Sequence, residues 1–194
     1  MDTSETCARV RTILEHAADH AWTIQDIGLL GLRLDARPDY RLHVWAPSYC
    51  TTEPPVHDHP FDFASTVVAG EITNVRFDED PAGIAYHRVR YSPSEHDVRR
   101  TDTVRLSPTA TTTHRAGDRY RQASHELHAT RPTPGTVTII RMAFRNVSEL
   151  TVCSRGEEDR ISDHSRRATP EEVHAVTATA LEHFSHGGVD TLGS

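Results

Sequence analysis

His57 and His59 stand one residue apart in the run Pro54-Pro55-Val56-His57-Asp58-His59-Pro60-Phe61-Asp62-Phe63, just upstream of a β-patterned stretch that ends at Gly70-Glu71. In an extended chain the side chains at i and i+2 share a face, so the two imidazoles can grip one metal ion from a single strand. Imidazole suits zinc, copper, iron and nickel alike, and the pair by itself does not choose among them. The chain carries 14 histidines in 194 residues, and random placement at that density yields about one such pair. Spacing alone therefore carries little weight, and the surroundings decide.

The elements that must position these residues are legible from periodicity. Residues from about 4 to 21 read as a helix, with Val10, Ile13, Leu14, Ala17 and Ala21 at helical spacing and Thr3 or Ser4 as N-cap. From Leu29 the period becomes two: Leu30, Leu32 and Leu34 alternate with Gly31, Arg33 and Asp35. Pro38-Asp39 marks a turn before the strand Leu42-His43-Val44-Trp45, and a Ser48 to Pro55 loop leads into the histidine pair. Further strands are predicted over 72–77, 85–91, 103–106, 119–122, 126–130, 136–144 and 150–153, separated by turn signals at Asp80-Pro81, Ser92-Pro93 and Pro134-Gly135. Thr169-Pro170-Glu171-Glu172 combines an N-cap, a proline in the first turn and a capping-box glutamate, opening a helix over about 169–185. The expected organisation is a single domain over 1–194, with the strands between about 24 and 155 and a flexible tail over 187–194.

Composition closes off several functions. All 21 of the Lys+Arg residues are Arg, so Schiff-base chemistry, a pyridoxal-phosphate site and a Walker-type phosphate loop are excluded, each needing a lysine amine. A net charge of −7 argues against phosphate-backbone binding, and nucleic acid is not an expected partner. Cys7, Cys50 and Cys153 are odd in number and widely spaced, implying neither a disulfide framework nor a zinc knuckle. With no apolar run of membrane length and no basic-then-apolar leader, a cytoplasmic protein without membrane contact is expected.

The context of the histidine pair resembles the cupin superfamily. Its first motif has the form His-x-His, three or four residues, Glu, six residues, Gly; here His57-x-His59 is followed by Gly70 at the distance of the shorter form, with Phe63 where the glutamate would stand. Gly117-Asp118 opens a segment similar to the second motif, and His128 falls eleven positions after Gly117. That motif's Pro, Gly and Asn are replaced by Ala123, His125 and Pro132. The resemblance implies a mainly β fold, a cupin jelly-roll β-barrel flanked by an N-terminal and a C-terminal helix. It also implies one divalent metal ion on His57, His59 and His128, without a carboxylate ligand because phenylalanine cannot bind a metal.

A three-histidine site looks like that of the thiol dioxygenases and the gentisate-type ring-cleaving dioxygenases, where the ion is Fe(II) and binds substrate and O2 together. Ni, Cu, Zn and Mn stay open here. The stretch from Arg37 to Pro47, followed by Pro55-Val56-His57-Asp58-His59, resembles the approach to the metal motif in cysteine dioxygenase. From that resemblance Arg33 corresponds to a substrate-carboxylate anchor, with Arg41 as the alternative; the guanidinium fork matches a carboxylate bidentately. The Cys-Tyr cross-link of the animal-type enzymes has no counterpart, since Ala64 occupies the cysteine region. Sulfur as the substrate atom therefore does not follow.

The expected function is a mononuclear-metal cupin oxygenase, an Fe(II)-dependent dioxygenase acting on a small carboxylate-bearing metabolite. The alternatives are a non-oxidative metal-dependent isomerase, lyase or decarboxylase, and a barrel that binds a small molecule without catalysis. Tyr120 and His125 are the candidate catalytic groups, His43 a further cavity residue. Strand alternation turns Asp62 away from the metal unless a bulge intervenes. Glu71 and Glu126 are likewise expected not to coordinate, and a homodimer is left open.

Overall fold

A computed structural model describes residues 3–25, 27–34, 39–46, 55–92, 97–144, 150–155 and 165–186. The Ser48 to Pro54 part of the loop before the histidine pair, Cys50, Pro93 and the 187–194 tail lie outside the described residues. Helix α1 (Thr3–Glu15) is followed by a 3-10 turn (Ala17–Asp19) and by strands β1 (Thr23–Gln25), β2 (Leu29–Arg33), β3 (Tyr40–Trp45) and β4 (Val56–His57). Then come β5 (Phe61–Ala69), β6 (Glu71–Ser92), β7 (Asp97–Arg115) and β8 (Arg119–Gln122). The remaining elements are β9 (His128–Pro132), β10 (Val137–Phe144), β11 (Leu150–Ser154), β12 (Arg166–Arg167) and helix α2 (Pro170–His186).

The molecule is mainly β, with one helix near each end of the chain. A seven-stranded sheet has the order β12-β1-β2-β3-β10-β5-β8 and a five-stranded sheet the order β11-β4-β9-β6-β7. In the second sheet β11 pairs with both β4 and β6, β4 with β9, and β9 with β6, so this pairing returns on itself. Val56, Tyr86, Val104, Leu106, Ala129 and Cys153 from these strands form a second buried cluster.

Alternation explains how the first sheet is filled. Leu30, Leu32, Leu42, Val44 and Val137 join Val10, Leu14, Trp22, Val173, Val176 and Ala180 in the largest core, between this sheet and the two helices. The intervening residues of β2 and β3, Gly31 and Arg33, Arg41 and His43, therefore point the other way, toward the second sheet.

Helix α1 stops at Glu15 rather than reaching the expected residue 21. The Ala17 carbonyl takes both the His20 N–H (3.2 Å) and the Trp22 indole N–H (2.9 Å). Together with the Asp19 N–H to His16 carbonyl bond (3.0 Å), these bonds make the segment after Glu15 a tighter 3-10 turn, and Ala21 is left exposed. Helix α2 matches its expected bounds closely: the Glu172 N–H reaches Thr169 Oγ1 at 3.3 Å while the Thr169 N–H reaches Glu172 Oε2 at 2.9 Å, a reciprocal capping box.

The strands predicted over 72–77 and 85–91 are one continuous strand, and Asp80-Pro81 is a bulge rather than a turn between elements. Glu79 and Ile84 both register with Leu106, and the extra residues are tied down locally. Asp80 accepts from the Ala82 N–H and the Ser107 hydroxyl, and Arg105 donates to the Gly83 carbonyl. At Gly83 a Cβ would sit 2.5 Å from the Leu106 backbone, so only glycine fits. Likewise 103–106 is the middle of a longer strand, and the predicted strand over 126–130 begins only at His128.

Gly70 and Gly117, the two glycines of the motif comparison, have φ of 76° and 94°. Both sit at reversals where a left-handed backbone is required.

Candidate metal centre

Three imidazoles converge where the sheets meet. His57 ends β4, His59 follows it, and His128 opens β9 directly across the ladder, registered with His57. Ring centroids are 4.9 Å apart for His57–His59, 4.6 Å for His57–His128 and 5.1 Å for His59–His128. One potential ligand atom from each lies within 4.8 Å of the other two.

Local hydrogen bonds fix two of the rings. His57 Nδ1 lies 3.0 Å from the Pro55 carbonyl, and His128 Nδ1 lies 3.2 Å from the Glu126 carbonyl. A carbonyl only accepts, so each Nδ1 carries the hydrogen and each Nε2 keeps its lone pair for the shared centre. Burial pushes all three rings toward the neutral form. His57 is lowered by desolvation against the Pro55 contact, His59 is lowered well below 6.5 by burial and by the neighbouring histidines, and His128 falls to about 2 through burial, His57 and Arg76.

Neutral, oriented imidazoles are the form that binds a metal. An ion bonded at about 2.1 Å spans ligand pairs of up to about 4.2 Å, so the triad closes on an ion with small ring rotations. The donor set fits a divalent first-row metal but does not select one.

The surrounding carboxylates are engaged elsewhere. Asp62 Oδ1 accepts from the Ser124 N–H at 2.8 Å. Glu126 is paired with Arg76 and accepts from Gln122 Nε2 at 2.8 Å and from the Ala123 N–H at 3.3 Å. Glu71 is bonded to Arg115 at 3.0 Å. Among the described residues the metal-competent cluster around His57 is purely histidine.

The other candidates divide. His43 is half-buried on the same face of β3 as Arg41; burial and the Arg41 charge lower it to about 4, and its charge would depress His59. Its neighbour Trp45 donates from the indole to Thr138 Oγ1 at 3.3 Å. Arg41 is partly buried and Arg33 exposed, the two registered opposite each other on the same face. Arg41 is lowered by its burial and by the Arg33 charge. Arg33 ends its strand in solvent, while Arg41 is two residues from His43 on the same strand.

Tyr120 lies across the same interior. Its ring meets Phe63 edge-on at 6.3 Å and stacks on His114 at 4.4 Å, and its phenol, raised by burial, neighbours Ser65 and Asn74. Phe63 in turn meets His59 edge-on at 5.1 Å, so it forms the apolar wall between the triad and this polar group.

His125 is not brought to the triad. Its backbone has a φ of 63°, its side chain is 56% exposed, and its Nδ1 sits 3.5 Å from Asp58 Oδ2. It stands in the turn before β9.

Sequence reasoning passed over Asp58, Asn74 and Arg76. Asp58, between the two histidines, is 5% exposed and accepts from the Thr151 N–H at 2.6 Å. A lone aspartate inside His-x-His was the available signal, since alternation sends it to the opposite face from the ligands.

No family model matches this chain, and no curated protein matches it. Among solved structures it is similar to Drosophila melanogaster CENP-C bound to CAL1, at 10% identity and a TM-score of 0.26, over 80% of this chain and 100% of that one. No helix among the described residues is long and apolar enough to cross a membrane.

Proposed function

We propose that this chain is a mononuclear-metal oxygenase of the cupin type, a jelly-roll barrel that holds Fe(II) on His57, His59 and His128 and acts on a small carboxylate-bearing metabolite. The observation that carries this reading is the triad itself: one buried and two half-buried imidazoles, all held toward the neutral form, with two Nδ1–H groups committed to backbone carbonyls. Such a shell leaves coordination positions open, as catalytic sites do.

Fe(II), when bound, supplies the positions at which substrate and O2 meet. The chain's own residues do the rest. Arg41, with Arg33 at the rim, gives an anionic group a charged anchor on the wall that leads to His43. His43, held neutral, offers one donor and one acceptor to a bound polar group. Phe63 and Met142 exclude water from that side, and the Tyr120 phenol is a proton donor beyond the Phe63 wall. A three-imidazole shell adds no negative charge, so an anionic, chelating substrate gains most from displacing water.

Oxygen uptake by Fe(II)-loaded protein, measured against a panel of small hydroxy-, amino- and thiol-carboxylates, tests the reading. Substrate-dependent uptake that disappears in His57→Ala is expected. A metal-loaded protein that transforms a carboxylate without consuming O2 would instead establish the isomerase, lyase or decarboxylase alternative.

A further inference from the structure

The ladder that brings the ligands together is very short. β4 has two residues, it meets β9 at the single registered pair His57–His128, and His59 lies beyond the end of β4. One pair does not set the direction of three rings, and a ligand shell depends on contacts outside it. Those contacts are concentrated in the turn that precedes His128.

The turn over 123–126 is held to the 57–62 segment at three points. The His125 N–H donates to the His59 carbonyl at 3.3 Å, the Ser124 N–H donates to Asp62 Oδ1 at 2.8 Å, and His125 Nδ1 lies 3.5 Å from Asp58 Oδ2. Asp58 is simultaneously anchored to β11: its N–H donates to the Thr151 carbonyl at 3.0 Å and its Oδ1 accepts from the Thr151 N–H at 2.6 Å. On the far side of the turn, Glu126 accepts from Gln122 and the Ala123 N–H and pairs with Arg76, which closes the turn on itself. The carbonyl that orients the His128 ring belongs to this same Glu126.

From this arrangement we infer that Asp58 and Asp62 are positioning residues: they clasp the 123–126 turn onto the His57-x-His59 segment and so set the affinity of the triad for its metal. The φ of 63° at His125 fits this role, since a non-glycine residue is held there only when its surroundings over-determine the backbone. The contribution is geometric. Asp62 faces away from the triad and Asp58 lies on the opposite side of the strand from the ligands, so neither acts by coordinating.

The inference rests on the metal-site reading, and its test separates the two. Co(II) affinity is measured by chelator competition on full-length Asp58→Ala, Asp62→Ala and Asp62→Asn, alongside the melting temperature of each metal-free protein. Proton NOEs between the His57 and His128 rings are recorded without metal. Asp58→Ala and Asp62→Ala are expected to bind Co(II) about 10–100-fold more weakly than the parent, and to lose the ring–ring NOEs. Asp62→Asn, which keeps an acceptor for the Ser124 N–H, is expected to recover both.

Co(II) affinity within threefold of the parent in a folded Asp62→Ala protein, with the NOEs intact, would overturn the clasp. Should Asp58→Ala fail to fold, the Asp62 pair decides alone. A parent chain that binds no Co(II) would sink the metal reading, and the NOEs would still judge the clasp.

Discussion

The two faces of the seven-stranded sheet are made from the same strands and do opposite work. Toward the helices, β2, β3 and β10 present Leu30, Leu32, Leu42, Val44 and Val137, all at most 6% exposed. Toward the second sheet the same strands present Arg33, Arg41, His43, Thr138 and Met142. The first face is a close-packed aliphatic layer with no group that can react; the second mixes imidazole, guanidinium and hydroxyl with aromatic walls. The apolar packing and the polar, titratable groups are thus separated by one residue of sequence, and a change on one face should leave the other largely intact.

The sharpest way to break this separation is to remove a ligand. His57→Ala or His59→Ala should abolish Co(II) binding while the metal-free protein keeps its circular dichroism spectrum, because the aliphatic layer does not rest on these rings. Leu42→Ala attacks the other face. Leu42 is fully buried, and truncation there should cost about 2–5 kcal/mol in urea unfolding with Co(II) affinity unchanged. If it alters metal binding as strongly as stability, the two faces are coupled.

Acid should act through the polar face. The His43 pKa is depressed from 6.5 to about 4, so its contribution is fully present above 6.5 and is lost as pH falls toward about 4. Over that window the metal-free protein should lose about 3 kcal/mol through His43 alone, with the triad histidines adding in the same direction. His43→Gln should flatten the decline of unfolding free energy between those pH values.

For any carboxylate that is turned over, Arg41→Ala should raise KM about tenfold to a hundredfold with kcat nearly kept, reflecting the loss of one charge-assisted contact of about 1.5–3 kcal/mol. Arg33→Ala, in solvent at the strand end, should raise it less. Equal effects would show that the rim, rather than the inner wall, selects the anion. The smallest effect is expected farthest from the site: Thr169→Ala removes half of the α2 capping box and should cost about 1 kcal/mol in thermal unfolding, without any change in metal affinity.

Much of this was readable in the chain because it depends on neighbours in sequence. Alternation put His43 and Arg41 on one face of β3, and i, i+2 spacing put His57 and His59 within reach of a common point. The capping box gave the start of α2, and Gly70 and Gly117 marked backbone reversals. Motif spacing singled out His128 as the third member of the histidine cluster, and the absence of a glutamate at position 63 anticipated an all-histidine group among the described residues.

Other features were settled by contacts distant along the chain. Helix α1 gives way to a 3-10 turn whose Ala17 carbonyl takes the Trp22 indole N–H, a contact that helical periodicity does not encode. The Asp80-Pro81 pair reads locally as a turn, yet pairing with β7 on both sides makes it a bulge. Arg33 and Arg41 are equivalent in type and pattern, and only the course of β2 into solvent separates them. His125 belongs to a clasp rather than to the triad because Asp58 and the His59 carbonyl reach it across the fold. Spacing determines which side chains share a face; which face is enclosed, and which turn is drawn against it, is decided when helices and sheets bury their apolar surfaces together.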